Sequence, residues 1–171
     1  GNFKRYTKQD GLSSEQVRVV SEDKNGHIWF GTSGGGLHSF KDGLVKSYLK
    51  SGQISNDSIM SILEDREKNL WVGTRVGLNQ FREGPITSYT TLAGLEQPIT
   101  LGTLEDRDGV LWVGTFGGGL HRLREGKFET FPDPKGLISK RVMSLHEGID
   151  GALWLGTWGA GINRIVGEEI T

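Results

Sequence analysis

The hydrophobic positions of this chain fall into short runs that recur at one fixed interval. A segment in which a tryptophan stands between two apolar residues, followed by Gly-Thr and a turn containing glycine, occurs four times, at 28–40, 70–81, 111–123 and 153–165. Successive tryptophans of this segment lie 42, 41 and 42 residues apart. Repetition at a period of this size indicates a repeat protein, in which each copy is one small supersecondary unit.

Within each copy the pattern predicts four short antiparallel strands. An apolar run such as 17–20 is followed by an acidic pair and by a turn with Asn or Gly, which supply the positive φ angles that a tight hairpin needs. The tryptophan segment forms the second strand, and a glycine turn leads to the third. A further turn leads to a fourth strand that ends in an aromatic residue. Four strands in about 40–45 residues are typical of one blade of a β-propeller.

We therefore predict an all-β propeller domain over residues 1–171, built from four four-stranded blades. The predicted blades cover about 15–50, 57–91, 98–133 and 140–171. The repeated tryptophans are expected to fill the space between adjacent blades: Trp29, Trp71, Trp112 and Trp154. The glycines two positions later leave no side chain where two sheets approach closely: Gly31, Gly73, Gly114 and Gly156.

The N-terminal segment carries the signature of a fourth strand without the rest of its blade. Tyr6 lies 23 residues before Trp29, and Tyr48 lies 23 residues before Trp71. Residues 1–7 are therefore predicted to be an outermost strand displaced to the N-terminus. Two interpretations stay open: this strand completes the last blade when the ring closes, or the chain is cut from a longer array of repeats.

Four blades with the geometry of a seven-bladed propeller do not close a ring. A blade of a seven-bladed ring subtends about 51°, so four blades fill only about 205° and leave apolar faces and strand edges open. Eight blades at about 45° each lie within the range of four to eight that propellers use. We therefore predict a homodimer that closes an eight-bladed ring, in which each segment 1–7 completes the partner's last blade.

Composition and charge exclude several classes of function. A net charge of −1 over 171 residues gives no broad basic field for nucleic acid or anionic lipid. The absence of cysteine excludes a disulfide framework, a thiolate zinc site and a cysteine nucleophile. No apolar run approaches the roughly 18 residues of a membrane span, so no membrane contact is predicted. No signal peptide or initiating Met is present, and we expect the chain to be a segment of a longer protein.

The repeat as a whole resembles that of a known family. GLSSEQVRVVSEDKNGHIWFGTSGGGLHSF at 11–40 and LEDRDGVLWVGTFGGGLHRL at 104–123 resemble the two-component regulator propeller repeat. The resemblance extends over nearly the whole chain. It implies a non-enzymatic sensor propeller of a bacterial hybrid two-component regulator, located in the periplasm or otherwise outside the cytoplasm. It also implies a ligand of the oligosaccharide class and, in the family, usually seven blades per ring.

Several motifs that could carry chemistry are interpreted as structural. The glycine turn at 31–36 is followed by a strand rather than the helix of a dinucleotide-binding loop. The turns at 23–26 and 106–109 resemble part of a calcium loop but lack its closing Glu, so their Asp side chains are expected to bond the turn backbone. Four glutamates share one position in the repeat and either bond neighbouring backbone or surround a cation: Glu22, Glu64, Glu105 and Glu147.

The histidines and hydroxyl residues form no recognisable catalytic constellation. His38 and His121 occupy the position held elsewhere by Asn79 and Asn163, which indicates a shared hydrogen-bonding role. His146 is interpreted as structural because no partner acid stands at a telling spacing. We therefore predict no enzymatic activity, no metal and no cofactor. A propeller lyase is the enzymatic alternative, on fold analogy alone.

One position varies in type while its surroundings repeat. It follows each Gly-Thr, in the loop between the second and third strands: Ser33, Arg75, Phe116 and Trp158. Such loops gather on one face of a propeller around the channel mouth, and exposed aromatics beside arginine favour recognition. We predict that these residues bind a ligand, with Ser33 leaving room for it; alternatively their side chains only cover the channel. The leading function is a sensor that captures an oligosaccharide, and the second is a protein-interaction scaffold without a small ligand.

Overall fold

The computed structural model describes residues 3–48, 54–82, 86–132, 136–167 and 169–170. Their strands form four antiparallel sheets of four, and each sheet consists of strands that are consecutive in sequence. The innermost strand of each later sheet packs against the two inner strands of the sheet before it. This arrangement confirms the predicted all-β propeller of four-stranded blades.

The strands are numbered in chain order. Blade one contains β1 (Val17–Glu22), β2 (Ile28–Thr32), β3 (Leu37–Lys41) and β4 (Leu44–Tyr48). Blade two contains β5 (Ile59–Glu64), β6 (Leu70–Thr74), β7 (Gly77–Phe81) and β8 (Thr87–Tyr89). Blade three contains β9 (Thr100–Glu105), β10 (Leu111–Thr115), β11 (Gly119–Arg124) and β12 (Lys127–Thr130). Blade four contains β13 (Val142–Glu147), β14 (Leu153–Thr157), β15 (Ile162–Val166) and β16 (Glu169–Ile170).

Every innermost strand carries one β-bulge close to its first residue. The pairing with the second strand skips a single residue in each blade: Arg18, Met60, Leu101 and Met143. A bulge bends its strand and changes the direction of the extra side chain. Nothing in the repeat pattern indicates these bulges, which lie beside the loops that hold the variable position.

In the first three blades the glycine two residues after the tryptophan lies where the first residue of the next innermost strand approaches. A Cβ atom at Gly114 would lie 2.7 Å from Val142 Cγ1, and one at Gly73 would lie 2.9 Å from Thr100 Cγ2. In each case the contact comes from the first residue of the next innermost strand, so a side chain at the glycine would push the blades apart. Gly156 in blade four would meet only Ser144 of its own blade among the described residues.

The tryptophans do not all reach the same degree of burial. Trp71 and Trp112 are buried between consecutive blades, at 3% and 9% exposure. Trp29 is half-buried. Trp154 is also half-buried, because the described chain places no further blade on its face, and the Arg164 guanidinium lies over its ring at 5.8 Å. Trp71 and Trp112 thus fill the space between blades as expected, and for Trp154 this place stays a prediction.

The prediction of an outer strand at 1–7 is not met in the single chain. The described residues of this segment form no strand and lead into a 3₁₀ turn at Lys8–Asp10. The Thr7 backbone N–H donates to Asp10 Oδ2 at 2.8 Å, and the Tyr6 ring lies 4.9 Å from that of Phe40. Local capping and packing on blade one thus replace strand pairing, and β16 supplies the fourth strand of blade four. Residues 1–2 lie outside the described part of the chain.

Candidate functional site

The loop end of every blade is shaped by the threonine of the Gly-Thr pair. The hydroxyl of this threonine donates to the carbonyl of the glycine that ends the turn. The oxygen–oxygen distances are 3.0 Å at Thr32, 2.9 Å at Thr74, 3.1 Å at Thr115 and 2.7 Å at Thr157. A turn closed in this way holds the residue after the threonine in a fixed place.

Three of the four variable residues make the same backbone contact. The N–H groups of Ser33, Phe116 and Trp158 donate to the residue that stands just before an innermost strand. The acceptor carbonyls are those of Gln16 at 2.9 Å, Ile99 at 3.0 Å and Arg141 at 3.0 Å. Arg75 lies in the shorter turn of blade two, closed by Thr74 and Gly77. The four positions therefore lie at the same end of their blades, next to the starts of the innermost strands.

The aromatic members of this set are accessible and are linked through one arginine. Phe116 is 36% exposed and Trp158 is 59% exposed, which are high values for aromatic residues. The Arg141 guanidinium lies 5.0 Å from the centre of the Phe116 ring, while the Arg141 carbonyl accepts the Trp158 N–H. Arg141 was not identified from the sequence. The residue before the innermost strand also varies between blades, and this variation could have indicated it.

Positive charge collects around the same loops. Arg18, at the bulge of blade one, donates from Nη2 to Ser33 Oγ at 3.3 Å. Arg75 and Arg141 are exposed. Within the ranges that the structure describes, no ion pair joins Arg18, Arg75 or Arg141 to an acidic side chain. Guanidinium groups without a carboxylate partner remain able to bind an anionic group in two-point fashion.

At the opposite end of the blades, the aspartates of the turns are fully engaged within their own blade. One oxygen of Asp106 accepts the Val110 N–H at 2.8 Å, and the other accepts the indole N–H of Trp112 at 2.6 Å. Asp65 and Asp23 bind Trp71 and Trp29 in the same way, at 2.7 Å and 2.8 Å. These bonds support the structural interpretation of the turns rather than a calcium loop.

The protonation behaviour of Asp23 reflects this network. Burial raises the pKa of the Asp23 carboxyl, but hydrogen bonds from Trp29, His27 and Asn25 together lower it more. The net pKa is below the ordinary value, because the bonds stabilise the carboxylate form. Blade four differs: Gly148 stands at the aspartate position, and Asp150 instead pairs with Arg164 at 2.8 Å.

Three of the four repeated glutamates connect their blade to the one before it. Glu64 Oε2 accepts the Lys24 N–H at 2.6 Å, and Glu147 Oε2 accepts the Arg107 N–H at 2.8 Å. Glu105 binds Arg66 in blade two by the same bond, at 2.9 Å. The backbone interpretation is thus the one that the geometry supports. Among the described residues no group of three or more His, Asp or Glu side chains is arranged to hold a metal ion.

His38, Asn79, His121 and Asn163 share one task, as their interchange in the repeat predicts. His38 Nε2 accepts the Ser13 N–H at 3.1 Å, and His121 Nε2 accepts the Glu96 N–H at 3.2 Å. The Asn79 and Asn163 side-chain oxygens accept the equivalent N–H groups of Ser55 and Ile138, at 3.0 Å and 3.2 Å. Each side chain holds the loop that leads into its own blade.

Burial lowers the pKa of both histidines. It does so for His38 against the opposing effect of the Gly36 and Phe30 carbonyls, and for His121 against the charge of Glu96 and the Val113 carbonyl. The neutral ring is therefore favoured, as an acceptor of a backbone N–H requires. Both rings are fully buried, and each is engaged by the backbone N–H of its loop.

Comparison with solved structures shows a shared fold. The extracellular domain of a hybrid two-component system from B. thetaiotaomicron superposes with a TM-score of 0.82 at 20% identity, over 94% of this chain and 23% of that chain. The extracellular domain of a one-component system from the same organism gives 0.77 at 22% identity, over 91% and 25%. Virginiamycin B lyase from Staphylococcus aureus gives 0.73 at 20% identity, over 94% and 56%. This chain thus spans well under two thirds of each protein.

Sequence comparison is more specific. No curated protein sequence matches the chain significantly. Among the described residues, no helix is long and apolar enough to cross a membrane. The sequence model described as "Two component regulator propeller" matches four segments, 11–34, 53–75, 94–117 and 136–159. These segments make up more than half of the chain and coincide with the four repeats, so the chain belongs to the two component regulator propeller family.

Proposed function

We propose that this propeller is a non-enzymatic sensor module that binds an oligosaccharide at the loop end of its blades. The observation that carries the proposal is the exposure of Trp158 and Phe116 beside Arg141, which forms no ion pair with an acidic side chain among the described residues. The interior between blades is filled by buried side chains such as Trp112, and neither Phe116 nor Trp158 belongs to it, although Arg141 of blade four lies over the Phe116 ring. Exposed residues that the scaffold does not need are good candidates for recognition.

The chemistry of the site suits a sugar that carries an acidic group. An indole or phenyl face offers a flat apolar surface on which the C–H face of a sugar ring can stack. The forked guanidinium of Arg75 or Arg141 matches a carboxylate or a sulfate. The backbone bond between Trp158 and Arg141, at 3.0 Å, fixes part of this surface before any ligand arrives. Fixed positions reduce the conformational entropy lost on binding.

Location and signalling follow from the same proposal. Two of the similar structures are extracellular domains of one- or two-component systems, which supports a place outside the cytoplasm for this chain as well. We infer that capture of the ligand is passed on as a change in how this propeller packs against neighbouring domains.

The second candidate is a protein-interaction scaffold with no small ligand. Exposed Trp and Arg are also the residue types that dominate binding between proteins. An enzymatic role has less support, although some similar propellers are lyases. His38 and His121 are committed to loop backbone, and His27 Nδ1 is bound to Asp23 at 2.9 Å.

Titration with defined oligosaccharides tests the proposal. Neutral, uronic and sulfated oligosaccharides are added to the purified chain, and binding is followed by calorimetry and by thermal shift. We expect Trp158→Ala to weaken binding by about 2 kcal/mol or more, as for an exposed anchor residue, with little change in stability. We expect Arg75→Gln and Arg141→Gln to reduce the preference for charged over neutral oligosaccharides.

The control is Ile149→Ala, which removes an exposed apolar side chain at the opposite end of the blades. Unchanged oligosaccharide binding with a large loss of stability in Trp158→Ala would show that Trp158 is a packing residue. Absence of binding to every oligosaccharide class, with Trp158-dependent binding of a protein, would favour the scaffold.

A further inference from the structure

The loop that leads into blade three contains a short segment between two buried residues. Leu95 is 1% exposed on one side of this segment, and Thr100, the first residue of β9, is fully buried on the other side. The residues between them, 96–99, are exposed or half-buried. A movement of the segment 96–99 therefore does not require the interior of the blade to open.

One imidazole ring holds the start of this segment. His121 lies on β11 and is fully buried, and its Nε2 atom accepts the Glu96 N–H at 3.2 Å. At the end of the segment, the Ile99 carbonyl accepts the Phe116 N–H at 3.0 Å. Phe116, an exposed residue of the loop end, is thus bonded to the segment that His121 holds.

The ring, the segment and the turn that follows Phe116 also lie in direct contact. A Cβ atom at Gly118 would lie 3.1 Å from His121 Cε1 and 3.1 Å from the backbone nitrogen of Gln97. The Gly118 N–H donates to Thr115 Oγ1 at 3.1 Å. Because the three parts are closely packed at Gly118, a displacement of the segment also displaces the turn that carries Phe116.

Protonation removes the hydrogen bond that holds the segment. A neutral imidazole accepts a hydrogen bond at one ring nitrogen, whereas both nitrogens of the protonated ring are donors. A proton added to Nε2 of His121 faces the Glu96 N–H, so that two donors meet. The charged ring also lacks solvent, and burial of a charge without a partner is costly. The closed position of the segment is therefore compatible only with neutral His121.

The groups around the ring include one that favours its charged form. On the neighbouring strands His121 pairs with Val113 and Thr130, neither of which titrates, and the buried cluster that contains Val113 is apolar. Burial lowers the pKa of His121, and the charge of Glu96 opposes this effect. The Glu96 carboxylate, whose Oε1 accepts the Thr130 hydroxyl at 2.9 Å, is the nearby group that can pair with the protonated ring once the backbone bond is broken.

We propose that protonation of His121 opens the segment 96–99 and displaces the turn of Phe116, which makes the loop-end site sensitive to pH. Neutral His121 keeps Phe116 in place, and the affinity of the site for its ligand decreases as the pH falls. The opening of the segment follows from the contacts of blade three alone. The decrease in affinity rests on the proposed ligand-binding function.

Two blades have no such dependence. Asn79 in blade two and Asn163 in blade four hold their loops through an amide oxygen, which does not titrate. Arg75 and Trp158 therefore keep their places at acidic pH, and the effect on the ligand is confined to part of the site.

Blade one contains the same arrangement beside a smaller side chain. His38 Nε2 accepts the Ser13 N–H at 3.1 Å, and the next residue, Ser14, donates from Oγ to the Ser33 carbonyl at 3.2 Å. Protonation of His38 therefore acts on the turn of Ser33, which offers no aromatic surface, so the main effect on binding is assigned to His121.

Hydrogen exchange of single backbone amides, measured by NMR on the whole chain, tests the opening without a ligand. After correction for the intrinsic effect of pH on exchange, we expect the protection of the Glu96 and Phe116 amides to fall about tenfold per pH unit below about 6.5, as linkage to one proton requires. The Ser55 amide, which Asn79 holds, should show constant protection. In His121→Asn, the Glu96 and Phe116 amides should show constant protection as well.

The reverse substitution keeps the test decisive if His121→Asn does not fold. Asn163→His places an imidazole where an amide oxygen accepts the Ile138 N–H, and it should give the Ile138 amide the pH dependence of Glu96. Protection of the Glu96 amide that is independent of pH in the wild type would overturn the proposal. An equal dependence on pH in the wild type and in His121→Asn would also overturn it.

A sulfated oligosaccharide tests the connection with binding, because a sulfate ester stays ionised at both pH values used. From about pH 7.5 to about pH 5 we expect the Kd of the wild type to rise about tenfold, as for the loss of one aromatic contact. The Kd of His121→Asn should change little, and His146→Asn, the control, should behave as the wild type. Calorimetry measures the Kd of each protein.

The outcomes separate this inference from the proposed function. An equal Kd at both pH values in the wild type would refute the pH sensitivity and leave the proposed function intact. Absence of binding to every oligosaccharide at both pH values would refute the proposed function and with it the decrease in affinity. In that case the exchange of the Glu96 amide still decides whether protonation opens the segment.

Discussion

The backbone N–H of Arg107 in blade three donates to Glu147 Oε2 in blade four at 2.8 Å, and the guanidinium of Arg107 pairs with the same carboxylate. The side chain continues to the carbonyls of Gly148 and Ile149, at 2.8 Å and 3.2 Å. One arginine and one glutamate thus join two turns that lie 40 residues apart in sequence. Blades are held together by polar contacts at their turns as well as by apolar contacts in their interior.

The first prediction concerns this connection. Glu147→Ala leaves a backbone N–H and a guanidinium without their acceptor, and we expect it to lower the free energy of unfolding by about 1.5–3 kcal/mol. Glu67→Ala is the control, because the Glu67 side chain is 71% exposed in a surface pair with Arg82. Such a pair contributes at most about 1 kcal/mol. Urea unfolding at one protein concentration measures the free energy of unfolding of both variants. Equal losses of this free energy in the two variants would contradict the role assigned to Glu147.

The second prediction concerns the inter-blade tryptophans. Trp112 is buried, packs edge-to-face on Phe131 with ring centres 5.6 Å apart, and donates its indole N–H to Asp106. We expect Trp112→Ala to cost about 3–5 kcal/mol, the usual range for an aromatic removed from a core. Denaturant unfolding measures the loss, with Trp158→Ala as an exposed tryptophan for comparison. A loss below about 1 kcal/mol would show that the ring is not a core residue.

The third prediction is a dependence of stability on pH. Because burial lowers the pKa of His38 and His121 in the folded chain, the unfolded chain binds protons first, near the ordinary value of 6.5. Stability is therefore fully present above that pH and decreases as the pH falls through it, until the lowered pKa of the folded state is reached. Unfolding free energies between about pH 8 and about pH 5 should show this decrease.

The matched variant is the double substitution of His38 and His121 by Asn. Asn79 and Asn163 already accept the equivalent loop N–H groups, so the variant should keep most of the stability at neutral pH. It should also lose the part of the pH dependence that the two histidines supply. His146→Asn is the control, since this residue holds no loop in the described structure. An unchanged pH profile in the double variant would refute the assignment.

The fold could be predicted from the sequence because the same pattern of strands and turns occurs in every blade. The spacing of the tryptophans, the Asn and Gly of the turns and the apolar runs all indicate the same four-stranded unit, so local and global signals agree. The occurrence of His38 and Asn79 at the same position of the repeat also predicted a shared hydrogen-bonding role, since both side chains can accept a hydrogen bond. Because the chain contains four copies of the repeat, equivalent positions can be compared within one sequence, a comparison that otherwise requires homologues.

Features that depend on context rather than on repetition were missed. The segment ending at Tyr6 has the spacing of an outer strand, but Thr7 and Asp10 cap a turn and Tyr6 packs on Phe40 instead. The bulge at Arg18 could not be predicted, because the pattern of apolar and polar residues does not change there. Arg141 was overlooked because its place beside Phe116 depends on contact between blades three and four, which the spacing within one blade does not describe.

The bond from the turn of one blade to the glutamate of the next gives the array a polarity. Donor and acceptor belong to different faces, so a contact between copies that uses this bond is heterologous and cannot join two identical faces. Heterologous contacts close into a ring when the rotation per subunit allows it and otherwise continue as an open filament. Within this chain the repeated step is one blade, and recesses such as Gly114, where a Cβ atom would lie 2.7 Å from Val142, contribute to the angle between consecutive blades.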